Sequence, residues 1–462
     1  MSAQETGHSK VFFAAGTGGA REHAIAKALR GGGADITTTA RTLNPGIRAL
    51  TLPRRYRLHD ETDVKWAAKW ARNFSPDYAF IGSEQPLVAG IVDRLDQYGI
   101  PAVGPSAAAA QIEGSKLFLR NLMSKYNIPG SIEYHHFTDV TQVEEFLRNT
   151  RKEYAIKPLG LTGGKGVKVM GDQLTKIDEA VNYARFIMND DSWGKGGILL
   201  EERIIGPEFT LQVFTDGLSV VPMPLVRDYK KAYEGDIGPN TGSMGDYSQE
   251  DGLLPFISQE ESNEALKITK QITRALALEG APYRGVMYSQ FMKTAKGIKL
   301  IEINCRFGDP EGINVLSLLK NNLDQVSRAI IEGRLHEINL EFDKKATVVK
   351  YVAPRGYPEN PEENVRIEIN EQAIEELGSN VFYAQVRTDG RDSYGGRRRG
   401  DFYRRVLTTK SRIAAILGVG STVKEAEEKA EIGIALVQGR HYVRHDIGRE
   451  ELLERDRRYN LN

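Results

Sequence analysis

The first hundred residues alternate short apolar runs with helical patterns, and this alternation constrains the fold more than any other feature of the chain. Val11–Ala15 reads as a buried strand, Glu22–Leu29 as a helix and Tyr78–Ile81 as a second strand. Leu87–Tyr98 reads as a helix and Ile100–Val103 as a short strand closing at Gly104-Pro105. Strands separated by helices point to a parallel sheet in an α/β domain.

At 462 residues the chain is too long for one hydrophobic core, and about three domains are expected. The helix Lys116–Tyr126 leads through Ile128-Pro129-Gly130 into a unit with strands at Tyr154–Lys157 and Val167–Met170. A third region runs to about Arg334 and holds a hairpin pattern, Val286–Lys293 and Ile298–Asn304 around Lys296-Gly297. After Leu335 the pattern changes: Thr347–Val352 is strand-like, and Pro354, Pro358 and Pro361 interrupt regular structure beyond it. Thr422 with Glu425 reads as a capping box before the helical stripe Val423, Ala426, Ala430, Gly433 and Ile434.

The 62 Lys and Arg balance the 62 Asp and Glu, so no global charge draws the chain to nucleic acid or an acidic membrane. Arg397-Arg398-Arg399 and Arg404-Arg405 read as a solvated basic run rather than a nucleic-acid patch. A single cysteine, Cys305, excludes an intramolecular disulfide framework and a multi-cysteine zinc site. With a polar opening, MSAQETGHSK, and no run near 18 apolar residues, a soluble cytoplasmic protein is expected.

Two stretches carry chemistry by their residues alone. In Leu159–Gly166, glycines leave backbone amides open to a polyphosphate, and Lys165 offsets its charge. It is not a Walker loop, because Gly166 follows the lysine and a strand follows the loop. Lys157 ends the preceding strand and Lys116 opens the preceding helix, so three lysines can converge on one triphosphate. The second stretch is Ile301-Glu302-Ile303-Asn304. Strand alternation places Glu302 and Asn304 on one face and sends Ile301 and Ile303 to the core. A carboxylate beside an amide oxygen suits Mg²⁺, which takes oxygen ligands and shares the rest with water and nucleotide phosphates. Arg306, in the polar turn after this strand, can orient a carboxylate or a transferring phosphoryl group. Cys305, with no histidine adjacent, reads as a packing residue.

Taken together, Lys116, Lys157, GLTGGKGV at 160–167, EERI at 201–204 with Glu208, and EINCRFGDPE at 302–311 resemble ATP-grasp enzymes. More narrowly, with GSEQPLVAGIVD at 82–93, AAAAQIEGSK at 107–116, RDYKKAYEGDIGPNTGSMG at 227–245 and STVKEAEEKA at 421–430, they resemble the phosphoribosylamine–glycine ligase family. The resemblance implies an α/β chain with an ATP-grasp fold. Its parts would be an N-terminal Rossmann-like domain at 9–108, an ATP-grasp domain at 109–338 with a glycine-loop lid at about 128–198, and a C-terminal β-rich domain at 339–462.

By the same resemblance Lys116, Lys157, Gly163, Gly164 and Lys165 would bind ATP phosphates, Glu201 and Ile204 would meet adenine through backbone groups, and Glu208 would hold the ribose. Glu302 and Asn304 would bind Mg²⁺ or Mn²⁺. Glu84, Asp228, Asn240, Thr241 and Arg306 would surround the substrates, with Arg306, Lys165 and Asp309 catalytic. Glycine and 5-phosphoribosylamine would be the substrates of a monomer that has neither nucleic acid nor membrane as a partner. An ATP-grasp ligase joining another small carboxylate to another amine is the nearest alternative, and a non-catalytic nucleotide-binding protein the farther one.

Four positions depart from the family pattern. GxGGREHA is represented by Gly16-Thr17-Gly18-Gly19-Ala20-Arg21-Glu22-His23, which also fails as a dinucleotide fingerprint because Arg21 holds the third glycine position. Ser243 replaces a glycine, Asp246 an alanine, and Ile313 sits where a polar residue or methionine is common. All border the substrate side.

Overall fold

The computed structural model describes residues 8–161, 166–190, 193, 196–388 and 403–458. The N-terminal alternation does form a parallel sheet, of five strands in the spatial order Thr51–Leu58, Asp35–Ala40, Lys10–Ala14, Tyr78–Ile81, Ala102–Val103. The order reverses between Lys10–Ala14 and Tyr78–Ile81, and the crevice at such a switch point is where open α/β sheets receive ligands. Gly16–Gly19 leaves one strand there and Gly82-Ser83-Glu84 the other. The helix expected over Leu87–Tyr98 is two, Glu84–Val88 and Ile91–Asp96. Gly90, at φ +87°, turns the chain between them, a conformation that glycine adopts without strain.

An antiparallel sheet forms the middle of the molecule: Val220–Pro222, Glu208–Thr215, Gly285–Thr294 and Gly297–Asn304. The expected hairpin is present, with Gly297 at φ +93° closing its turn. Gln290 opposes Glu302 while Phe291 opposes Leu300, so Ile301 is an extra, bulged residue. The bulge corrects one expectation. Leu300 and Ile303 reach the core, whereas Ile301 stays half-buried, because the extra residue resets the alternation.

A four-stranded sheet, Tyr134–Phe137, Ile198–Glu202, Tyr154–Pro158 and Lys168–Val169, has its own core with helices Val140–Asn149 and Ile177–Met188. The C-terminal region is built on a sheet of Arg227–Asp228, Gly245–Ser248, Ala346–Val352, Ala414–Gly420 and Ser379–Tyr383. Its first two strands come from the middle of the chain, so the 227–248 segment is held directly by C-terminal strands. The stripe Val423, Ala426, Ala430, Gly433 and Ile434 is buried as expected. The capping box is only half formed: Thr422 caps the Glu425 amide, but the Glu425 carboxylate accepts from Ser421 instead.

Candidate active site

Three segments meet where the middle sheet faces the parallel-sheet crevice. Strand Gly297–Asn304 ends there with Glu302 and Asn304 side by side, the Asn304 amide lying 3.3 Å from Glu302 Oε1. Arg306, the next residue on that side, donates to Asn304 Oδ1 at 3.2 Å and to Glu84 Oε2 at 3.3 Å, and lies 3.5 Å from Glu113. One guanidinium therefore ties the strand Gly297–Asn304 to the N-terminal crevice. Burial works against its charge, but Glu113 and Glu84 more than restore it and its pKa is raised. Glu84 is half-buried, yet Arg306 and Arg21 keep its carboxyl below the usual range. Cys305 donates from its amide to Glu113 at 2.6 Å, and its thiol, pushed up by burial and by Glu113, is no nucleophile.

Lys116 and Lys157 lie near one another, across from this cluster. The Lys116 ammonium donates to the Gly160 carbonyl at 2.9 Å. Burial pushes its pKa down, and Lys157 adds to that, while Glu302 opposes it. Lys157 pairs with Glu201, whose other oxygen receives Arg120 at 2.6 Å. Arg120 is 1% exposed and also donates to the Leu300 and Ile301 carbonyls at 3.0 and 2.7 Å, beside the bulge. Burial would raise the Glu201 carboxyl, but Arg120 and Lys157 overcome it and hold its pKa down at about 2. The Glu201 side chain is thus committed and its backbone stands in the ladder between Tyr134 and Ala155, while Ile204 is half-buried just past the strand end. Gly163, Gly164 and Lys165 lie outside the described residues.

Glu208 accepts from Lys230 at 2.9 Å and from Gln290, and Arg227 donates to its carbonyl at 2.7 Å. Opposing charges again win over burial, led by Lys230, and its pKa is lowered. Asp228, two residues before Lys230, has a different environment. Its Oδ1 is buried without a partner, and burial with Glu311 nearby pushes its carboxyl well above the ordinary range. Thr241 folds back to donate to the Lys230 carbonyl at 2.8 Å, while Asn240 is exposed at the end of the hairpin strand Ile237–Asn240. Asp309 binds Tyr351 and, at 2.7 Å, Arg412, which also donates to the Gly242 and Ser243 carbonyls. Arg412 pulls Asp309 down against burial.

The glycine turn at 16–19 is already occupied by the chain itself. Gly16 donates to Glu61 at 2.7 Å and Gly19 to Glu22 at 2.8 Å. Arg21, in the position where a dinucleotide fingerprint has glycine, pairs with Glu22 and donates to the Phe307 carbonyl at 3.1 Å. That explains in structural terms why the departure from a dinucleotide loop is tolerated.

Sequence reasoning missed Arg120, Glu113, Lys230, Gln290, Glu311 and Arg412. Glu311 lay within the recognised motif. Arg120 falls on the buried face of the helix Lys116–Lys125, where a charge is a signal because burial demands a partner. Arg412 gave no local signal.

A small four-stranded sheet carrying Lys157, a helix opening on Lys116 and a middle antiparallel sheet carrying a carboxylate–amide pair are the parts of the ATP-grasp class. Solved structures agree at the level of fold. A phosphoribosylamine–glycine ligase from Thermotoga maritima matches with a TM-score of 0.75 at 24% identity, over 95% of this chain and 99% of that one. The biotin carboxylase domain of Hydrogenobacter thermophilus 2-oxoglutarate carboxylase, solved with MgADP, ADP and bicarbonate, matches with a TM-score of 0.73 at 13% identity, over 97% and 96%. Family models described as phosphoribosylglycinamide synthetase match in order: the N domain at residues 15–113, the ATP-grasp (A) domain at 114–312 and the C domain at 347–450. Phosphoribosylamine–glycine ligase of Pyrococcus abyssi is 45% identical over 438 residues, 95% of this chain and 94% of that protein. The Methanococcus maripaludis enzyme of the same name is 44% identical over 443 residues, 95% and 96%. The chain belongs to the phosphoribosylglycinamide synthetase family.

Proposed function

We propose that the chain ligates glycine to 5-phosphoribosylamine at the expense of ATP, giving glycinamide ribonucleotide, ADP and phosphate in purine biosynthesis. The observation that carries this reading is Arg306, which joins the Glu302–Asn304 pair to Glu84 in the crevice. Nucleotide chemistry and an N-terminal substrate site are thereby brought to one guanidinium.

A carboxylate is a poor acyl donor, so the glycine carboxylate first attacks the γ-phosphorus of ATP, releasing ADP and forming glycyl phosphate. The amine of phosphoribosylamine then attacks the acyl carbon, phosphate leaves, and the amide forms. No covalent nucleophile is required of the protein, whose part is positioning and charge stabilisation. Lys116, Lys157 and Lys165 hold the phosphates, Glu208 the ribose, and backbone groups of Glu201 and Ile204 the adenine. Glu302 and Asn304 each carry an oxygen of the kind a divalent ion takes, and to hold one Asn304 would exchange its present bonds, from its amide to Glu302 and from Arg306 to its oxygen. When bound, Mg²⁺ or Mn²⁺ neutralises phosphate charge. Arg306 orients the glycine carboxylate. Asp228, a half-buried carboxyl beside Glu311, receives the glycine amino group on its outer oxygen, while Asn240 and Thr241 border it. Asp309 fixes the substrate segment through Arg412.

In this reading residues 9–108, 109–338 and 339–462 are the three domains, with 128–198 closing as a lid over the acyl phosphate. The enzyme is taken as a cytoplasmic monomer. Among the described residues no helix is long and apolar enough to cross a membrane.

The test is ADP release with ATP, glycine or phosphoribosylamine omitted in turn. Release is expected only with all three present. Equal release when another small carboxylate replaces glycine would overturn the substrate assignment.

A further inference from the structure

Behind Asp228 lies a layer of buried oxygen atoms for which the proposed reaction has no use. In the strand Gly245–Ser248, Tyr247 faces the hydrophobic core and Asp246 and Ser248 face the other way. That other face packs on the helix Glu311–Leu318: Ser248 bonds Thr347 at 2.6 Å, and Asn314 donates to the same Thr347 hydroxyl at 2.9 Å. Asp246 is 0% exposed, and among the described residues the Asn314 amide, which donates to Thr347, is the one donor close to its carboxylate without reaching hydrogen-bond geometry. Asp228 Oδ1 and Asn314 Oδ1 are likewise buried and unpaired.

Asp246 stands directly opposite Asp228 in the antiparallel ladder. Side chains so placed have their Cβ atoms about 5 Å apart, and like charges there repel. The charged groups facing Asp246 from the surrounding elements are Asp228 on the neighbouring strand, Glu311 on the helix and Asp309 in the turn before it. The nearby cations are committed elsewhere: Lys230 is held by Glu208 at 2.9 Å and Arg412 by Asp309 at 2.7 Å. An ionised carboxylate buried among other carboxylates is costly, and it escapes that cost by taking a proton.

We propose that Asp246 is a positioning residue that keeps its proton at neutral pH and donates it to Asp228, so that the two carboxyls act as an acid–carboxylate pair with one negative charge. The proton gives Asp228 a donor from behind, leaving its outer oxygen to receive a primary ammonium in front. Burial and the neighbouring carboxylates raise the Asp246 carboxyl well above its ordinary range, as the geometry requires. Asp246, an alanine in the usual family pattern, is then a device of this chain for fixing its substrate carboxylate.

Infrared difference spectroscopy tests the proton directly. Without substrate at neutral pH, the protein should show the carbonyl stretch of a protonated carboxylic acid, shifted in D₂O and missing from Asp246→Asn. If Asp246→Asn removes no such band, the residue is ionised and the proposal is overturned, whatever the enzyme's activity. The positioning half rests on the reading of Asp228 as the glycine carboxylate and is tested by kinetics. Asp246→Asn keeps a donor and should restore the glycine KM to within about threefold of the native value. Asp246→Leu keeps the volume but loses a hydrogen bond to a charged group, and should raise the glycine KM at least about tenfold with the ATP KM unchanged. Equal glycine KM values for the Asn and Leu proteins would overturn the positioning role. Absence of any glycine-dependent turnover in the native protein would instead sink the proposed reaction and leave the infrared result standing.

Discussion

The proposed nucleotide side and the proposed substrate side of this site handle buried charge in opposite ways. Around Glu201 and Glu208 every carboxylate has a cation: Arg120 and Lys157 for the first, Lys230 for the second. Around Asp228, Asp246 and Glu311 carboxyls face one another, and unpaired oxygens remain. The first arrangement is complete before ligand arrives, so its electrostatics are preorganised and its integrity belongs to the fold. The second is incomplete, and its missing positive charge is what a substrate with an amino group brings. A protein keeps such a region only where binding or catalysis compensates for its cost.

Removing a partner from the paired side should therefore have the largest effect. Glu201→Ala leaves Arg120, 1% exposed, and Lys157 without their shared carboxylate. Breaking a buried pair in this way costs about 3–5 kcal/mol. Denaturant titration should show this as a lower midpoint for the region containing the lid sheet. A loss below about 1 kcal/mol, the range of an exposed pair, would show that the cluster is not a structural unit.

Arg306 is the seam between the two sides, and its substitution should affect rate more than stability. Lysine preserves the charge but not the planar fork that reaches Asn304, Glu84 and the Phe307 carbonyl together. Losing a contact that strengthens in the transition state should cost Arg306→Lys about 2–4 kcal/mol, or roughly thirty- to a thousandfold in glycine-dependent ADP release. ATP binding should be nearly unchanged. Weakened ATP binding with intact glycine turnover would move Arg306 to the nucleotide side and erase the seam.

How much the sequence could disclose depended on how local each feature is. Glu302 and Asn304 are two residues apart in one strand, so strand periodicity alone put them on one face, and Arg306 stood out as the first polar residue of the turn that follows. The bulge at Ile301 was not legible, because Ile-Glu-Ile-Asn reads as unbroken alternation and the interruption is set by the partner strand at Gln290 and Phe291. Lys157 and Glu201 were each singled out, but their pairing was not: they sit 44 residues apart, on neighbouring strands. Arg412 lies 103 residues from Asp309 and reaches it only because strands 245–248 and 346–352 join one sheet. The break at Gly90 did have a local signal, a glycine inside an apolar helical pattern, outweighed by the periodicity around it.

The smallest expected effect is the one that separates the two sides by sign. Glu201 is held at about 2 in the folded protein, below its unfolded value, by Arg120 and Lys157 against burial. Its stabilisation is complete above the ordinary carboxylate range and is lost as pH falls toward 2. Asp228 behaves oppositely. Burial and Glu311 raise its folded pKa, so the folded state binds the proton more tightly than the unfolded chain does. Stability tied to Asp228 is therefore full at acidic pH and is lost as pH rises from the ordinary carboxylate range toward the raised folded value. Asp228→Asn removes that titration, so its thermal midpoint should gain on the native protein as pH increases from about 5 to about 8. Because Asp228 is only half-buried, water screens part of the effect, and a gain of about 1 kcal/mol is expected. The same sign gives a second readout. The ionised form needed for an ammonium appears only as pH rises, so native kcat/KM for glycine should climb along an acid limb displaced toward neutrality. Parallel midpoint curves for the two proteins, with no such limb in the native rate, would place Asp228 among the ordinary paired carboxylates and remove the contrast between the two sides.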